Sequence, residues 1–207
     1  MTQEYISQEK SRESESKNTR RVFIDLGSGL FTAAFSGNRA LQDNDYYIGV
    51  DNNRKKIQAA LTTHDIAANK KNFDNIGKNV FFVQGNGGEL PFADSSADEV
   101  FLGNVLGDRA IHSVDAFLTE ARRILKTDGK LVILETITPS AAKERDNSND
   151  ITHFVENFGF KKIREVGFDD DNFEQERATY ATHMSEYLDD DSRLLFFVKT
   201  DAQELEK

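Results

Sequence analysis

From Arg21 onward, short apolar runs alternate with stretches in which apolar residues recur every three or four positions. That alternation predicts βαβ units wound into a parallel sheet. Strands are predicted at 22–26 (VFIDL), 46–50 (YYIGV), 80–84 (VFFVQ), 99–103 (EVFLG) and 130–135 (KLVILE). None of them alternates strictly with polar residues, so both faces of the sheet should be covered by helices.

Ile57, Ala60, Leu61 and His64 fall at helical spacing, as do Val114, Phe117, Leu118, Ala121, Ile124 and Leu125, with Ser113 as the expected N-cap. The second of these helices should stop in Lys126-Thr127-Asp128-Gly129, where a basic residue and a glycine supply C-terminal punctuation. After the fifth strand a polar stretch at 140–150 precedes a helix near 150–158. KKIREVGF at 161–168 and RLLFFVKT at 193–200 then read as a terminal hairpin. The acidic connection between them, 169–191, exceeds the usual hairpin loop of about 2–5 residues. It is either a partner-binding or substrate-covering element, or a solvated loop with a short helix.

With 207 residues the chain suits one domain, expected at 21–207 behind a polar lead-in at 1–20 that is expected to be mobile. The lead-in has no apolar core of a secretory signal, and no stretch approaches the roughly 20 apolar residues of a membrane span. A soluble, cytoplasmic protein is expected, with no membrane partner. Cysteine is absent, which excludes disulfides, thiolate zinc sites, cysteine nucleophiles and iron–sulfur clusters.

Net charge is −10, from 26 Lys and Arg against 36 Asp and Glu. Basic residues occur only in short pairs such as Lys55-Lys56, Lys70-Lys71, Arg122-Arg123 and Lys161-Lys162, so nonspecific nucleic-acid binding is disfavoured. His64, His112, His153 and His183 lack metal-ligand spacing, and no metal is assigned. Gly27-Ser28-Gly29 has the wrong spacing for a GxSxG nucleophile elbow.

The segment RVFIDLGSGLF at 21–31 runs a buried strand into a glycine turn and a helix expected from about Leu30. Gly27 and Gly29 permit the tight turn and let a ligand lie against bare backbone, and the helix start favours a ligand carboxylate. Asp51 ends the next strand, roughly twenty residues past the turn, where a carboxylate can accept from both ribose hydroxyls of an adenosine-containing ligand. Asp51 or Asn52 would serve equally well as a helix N-cap, and the two roles can coexist.

Gly85-Asn86-Gly87-Gly88-Glu89-Leu90-Pro91-Phe92-Ala93-Asp94-Ser95-Ser96-Ala97-Asp98 resembles the GDAxxLPFxDxSFD pattern of class I S-adenosylmethionine-dependent methyltransferases. ARRILKTDGKLVILE at 121–135 is likewise similar to that family's RVLKPGGxLVLxE. Four motifs occur in the family's order between about Arg21 and Glu135. The resemblance implies an α/β fold: a Rossmann-like, seven-stranded, mostly parallel sheet with helices on both faces and a C-terminal antiparallel hairpin. It implies S-adenosylmethionine as cofactor, with Asp25, Gly27, Ser28 and Gly29 bordering the methionine end. Asp51, with Asn52 beside it, would hold the ribose, Asn86 and Gly87 the adenine, and Gly103 and Asn104 would lie under the sulfonium. Two positions depart from the pattern: Phe31 stands where a third glycine is frequent, and Asn86 where an aspartate is usual.

Methyl transfer in that family is an in-line displacement for which a general base is optional, the candidates here being Asp108, His112 and Glu135. The expected acceptor is a small molecule, with a protein partner possible and the oligomeric state open. A noncatalytic binding subunit of the same fold is the alternative. An NAD-dependent dehydrogenase would also use a glycine turn and a strand-end acid, but Asp25, the GNGGELPF segment and the late hairpin argue against it.

Overall fold

The computed structural model describes residues 20–29, 41, 44–69, 79–106, 113–136, 151–167, 170, 176, 180 and 192–200, with the backbone alone at 63–69 and 136. Seven strands, β1 (Val22–Leu26), β2 (Tyr46–Asp51), β3 (Val80–Gln84), β4 (Ala97–Gly103), β5 (Leu125–Thr136), β6 (Phe160–Gly167) and β7 (Ser192–Lys199), join in one sheet. Their order is β3-β2-β1-β4-β5-β7-β6. The pairs among β1 to β5 are parallel, and β7 runs antiparallel between β5 and β6. The expected sheet and its antiparallel C-terminal pair are therefore present.

Successive apolar residues in the central strands are buried on opposite faces. Ile24, Leu26, Val100, Leu102, Leu131, Ile133, Leu195 and Phe197 join one core. Phe23, Phe101, Val132, Leu134, Leu194 and Phe196 join the other. Burial on both sides is why these strands read as unbroken apolar runs.

Three helices are described: α1 (Arg54–Asn69), α2 (Val114–Ile124) and α3 (Ile151–Glu156). Val114, Leu118, Ala121 and Ile124 of α2, with Val155 of α3, fill the first core. The β2-to-β3 and β4-to-β5 crossovers run in opposite directions along the sheet, so right-handed connections carry α1 and α2 to opposite faces. Among the described residues, no helix is long and apolar enough to cross a membrane. The lead-in at 1–19, the start of a helix at Leu30, and most of 169–191 lie outside the described residues. Within that last segment Tyr180 is buried in the second core, stacked on Phe101 with ring centroids 5.5 Å apart.

Several local expectations need correction. Ser113 occupies the cap position of α2 but makes no side-chain cap hydrogen bond. Lys126–Gly129 do not punctuate the helix: β5 begins at Leu125, directly after it. The last helical carbonyls, of Arg123 and Ile124, accept instead from the backbone N–H groups of Ser95 and Ser96 at 3.0 and 2.7 Å. Leu125 pairs with Ala97 and Lys130 with Glu99, so residues 126–129 form a bulge. Gly129 is there for close approach, since a Cβ would come within 2.9 Å of Leu125 and 3.1 Å of the Ala97 carbonyl. Leu61, expected on the buried face of α1, is 41% exposed, while Ile57 and Ala60 are buried.

Candidate functional site

The strand order reverses at β1, whose neighbours are β2 and β4, and such a switch point opens a crevice beyond the carboxyl ends of the strands. Gly27 and Gly29 lie there with φ of +76° and +61°, the left-handed region in which a side chain is strained. The N–H groups of Gly27 and Ser28 both donate to the Val50 carbonyl, at 2.8 and 3.0 Å, and lash the turn to the end of β2.

Asp51 completes the attachment. Its carboxylate, 6% exposed, accepts the Gly29 N–H at Oδ2 (3.0 Å) and the Asn53 N–H at Oδ1 (2.7 Å). The helix cap expected of Asp51 or Asn52 is made instead by Asn53, whose Oδ1 accepts the Lys55 and Lys56 N–H groups at 3.0 and 3.4 Å, while Asp51 accepts the N–H of that cap residue. A carboxylate oxygen has two acceptor sites, so each retains capacity for another donor. Asn52, next to it, is exposed, and its carbonyl accepts from the Gln84 side chain at 3.3 Å.

Asp25 is buried and accepts a hydrogen bond from the Tyr47 hydroxyl. The Ser28 hydroxyl is buried with no hydrogen-bond partner, 3.0 Å from where a Cβ on Gly49 would stand. Among the described residues, a Cβ added at Gly29 would meet only the Gly27 carbonyl oxygen, at 3.8 Å. Bare glycine backbone, beside a buried carboxylate and an unsatisfied hydroxyl, fits a polar ligand bearing a vicinal diol.

The third side of the crevice is the turn after β3. The Gly85 N–H donates to the Asp51 carbonyl at 3.1 Å, and Asn86 Oδ1 accepts the Gly88 N–H at 3.1 Å. Gly87 and Gly88 are both packed against α2. A Cβ on Gly87 would lie 2.2 Å from the Phe117 ring, and one on Gly88 2.6 Å from the Ala116 methyl. Gly87 therefore presents one side to α2, a constraint its place in the motif did not reveal.

The fourth side leaves β4. Asn104 has φ of +51°, and its N–H donates to the Leu134 carbonyl at 2.8 Å. Next to it, a methyl of Val105 sits 2.7 Å from the place of a Cβ on Gly27. The structure thus ties Gly27 and Ser28 to Val50, Gly29 to the Asp51 carboxylate and Gly85 to the Asp51 carbonyl, and it places Val105, next to Asn104, against Gly27. Asp108, His112 and Phe31 lie outside the described residues.

Sequence reasoning missed the clasp that joins the segment before β4 to the end of α2. Arg123 donates to both carboxylate oxygens of Glu120 (2.7 and 2.8 Å), to the carbonyls of Phe92 (2.8 Å) and Leu90 (3.1 Å), and to Asp94 (2.7 Å). Glu120 in turn accepts the Leu90 N–H at 2.8 Å. The hydrogen bond from Arg123, opposed in part by burial, holds the Glu120 carboxyl below its ordinary 4.5. LPFAD and ARRIL are thus two halves of one contact, which explains their joint presence. Among the described residues, no group of three or more His, Asp or Glu stands in a metal-holding arrangement.

A family model described as a methyltransferase domain matches residues 17–181. The chain is 35% identical over 119 residues to a demethylmenaquinone methyltransferase of Lactobacillus johnsonii, covering 56% of this chain and 44% of that one. It is 33% identical over 118 residues to the ubiquinone/menaquinone biosynthesis C-methyltransferase UbiE of Shewanella frigidimarina, covering 56% and 43%. The matched span is under half the length of these curated relatives. In fold it is similar to a SAM-dependent methyltransferase from Aquifex aeolicus, with a TM-score of 0.58, 14% identity, and 92% and 89% of the two chains covered.

Proposed function

This chain belongs to the methyltransferase domain family, of the class I S-adenosylmethionine-dependent type, and from that premise we propose that its β1–β4 edge binds S-adenosylmethionine and serves methyl transfer to a small-molecule acceptor. The observation that carries the reading is the buried Asp51 carboxylate at the end of β2, hydrogen-bonded to the N–H of Gly29 in a left-handed glycine turn.

In this reading Asp51 accepts from the ribose hydroxyls, with Asn52 beside it. Asp25, Gly27, Ser28 and Gly29 border the methionine end, Asn86 and Gly87 the adenine, and Gly103 and Asn104 the sulfur. When bound, S-adenosylmethionine supplies a methyl carbon already activated by its positive sulfur. The chain's task is then alignment: a rigid turn lashed to β2 and a fixed β4 end hold the ligand in one orientation against an acceptor entering the crevice.

The finer proposal concerns the acceptor. One similar enzyme is named a demethylmenaquinone methyltransferase and another a ubiquinone/menaquinone biosynthesis C-methyltransferase, so a demethylated quinone ring is the first acceptor to assay. Calorimetry with S-adenosylmethionine, S-adenosylhomocysteine and NAD tests the cofactor, and micromolar binding of the first two without the third is expected. Binding of NAD alone would overturn the reading. Transfer of labelled methyl to demethylmenaquinone tests the acceptor; cofactor binding without that transfer removes the quinone proposal only.

A further inference from the structure

One buried carboxylate at this sheet edge has no part in the site so far. Glu135 stands at the carboxyl end of β5 and is 4% exposed. Its Oε2 accepts the N–H of Leu106 at 2.9 Å. Leu106 closes the short turn by which the chain leaves β4, and the Asn104 N–H at the other end of that turn is bound by the Leu134 carbonyl. Adjacent residues of β5 thus hold both ends of the turn, one through its backbone and one through its side chain.

Between those ends Asn104 is in the left-handed region, a conformation that a non-glycine residue keeps only when its surroundings impose it. Val105 lies next, buried, with its methyl filling the space that a side chain at position 27 would need. A displacement of Leu106 therefore moves Val105, and Val105 abuts the glycine turn. Losing the carboxylate would also leave a buried backbone N–H without its partner, a penalty larger than the net value of the bond.

We propose that Glu135 is a positioning residue: its buried carboxylate fixes the Asn104–Leu106 turn against Gly27 and so sets the floor beneath the cofactor's sulfur end. The functional half rests on the cofactor reading above; the contact itself rests on geometry.

The test compares Glu135→Gln and Glu135→Ala in the full chain, by amide hydrogen exchange of Leu106 in the ligand-free protein and by calorimetric affinity for S-adenosylhomocysteine. Gln retains an acceptor oxygen. It should keep both quantities within about threefold of the parent, whereas Ala should speed Leu106 exchange and weaken binding by roughly 5- to 150-fold. Equal damage from Gln and Ala, or none from either, overturns the proposal.

If Glu135→Ala does not fold, Val105→Ala takes its place. It should weaken S-adenosylhomocysteine binding with Leu106 exchange unchanged, and unchanged affinity overturns the link through Gly27. Failure of the cofactor reading is separate: the parent protein would then bind no S-adenosylhomocysteine, while Leu106 exchange still followed the acceptor at position 135.

Discussion

Asp51→Ala removes two acceptors at once, those of the Gly29 and Asn53 N–H groups. Gly29 is only partly buried and Asn53 is exposed, so water replaces much of what is lost. Each bond to a charged acceptor is ordinarily worth about 1.5–3 kcal/mol, and replacement by water brings the expected total to about 2 kcal/mol of stability. Ligand binding carries a further cost of roughly 1–3 kcal/mol if the carboxylate also accepts from the ribose, or about 5- to 150-fold in Kd. Urea unfolding measures the first quantity and calorimetry with S-adenosylhomocysteine the second. A 2′,3′-dideoxy analogue of S-adenosylhomocysteine separates a loosened turn from lost ribose contacts. The parent protein should prefer the diol strongly and Asp51→Ala should bind both compounds equally. A preference for the diol that survives in Asp51→Ala refutes the ribose assignment, even if stability falls as expected.

Gly27→Ala should cost about 2–4 kcal/mol in urea unfolding, because a strained φ adds to a 2.7 Å clash with Val105, whereas Gly29→Ala, whose Cβ meets only the Gly27 carbonyl oxygen at 3.8 Å among the described residues, should cost only about 1–2 kcal/mol. Gly87→Ala should destabilise by about 1–3 kcal/mol through the Phe117 ring, and pairing it with Phe117→Ala should cost less than the two single changes summed; strict additivity in denaturation would refute the contact. Leu118→Ala, at a fully buried position of α2, should cost about 2–5 kcal/mol by thermal or chemical unfolding. Glu120 is held below 4.5 when folded, so the unfolded chain takes up its proton first. The stability it contributes is present above pH 4.5 and is lost as pH falls through the lowered value, and Glu120→Gln should flatten that part of the urea midpoint's pH dependence.

The central strands were legible because each buries both faces, so VFIDL and KLVILE are mostly apolar, whereas VFFVQ forms the edge strand β3, where Phe81 is 45% exposed. The glycine turn and the acid after it were legible too, since positive φ at Gly27 and Gly29 leaves a compositional mark and Asp51 ends a recognisable strand. The end of α2 was misplaced because local punctuation was the only rule at hand, while the carbonyls there are satisfied by Ser95 and Ser96 from a distant loop.

What the chain encodes within a strand or one helical turn could thus be read directly. The roles of Arg123 toward Leu90, of Glu135 toward Leu106, of Phe117 toward Gly87 and of Val105 toward Gly27 each join residues about 30 to 80 positions apart. No local pattern marks such partners. They are chosen when the two halves of the sheet close and every buried donor and carboxylate must find the acceptor or donor that geometry puts within reach.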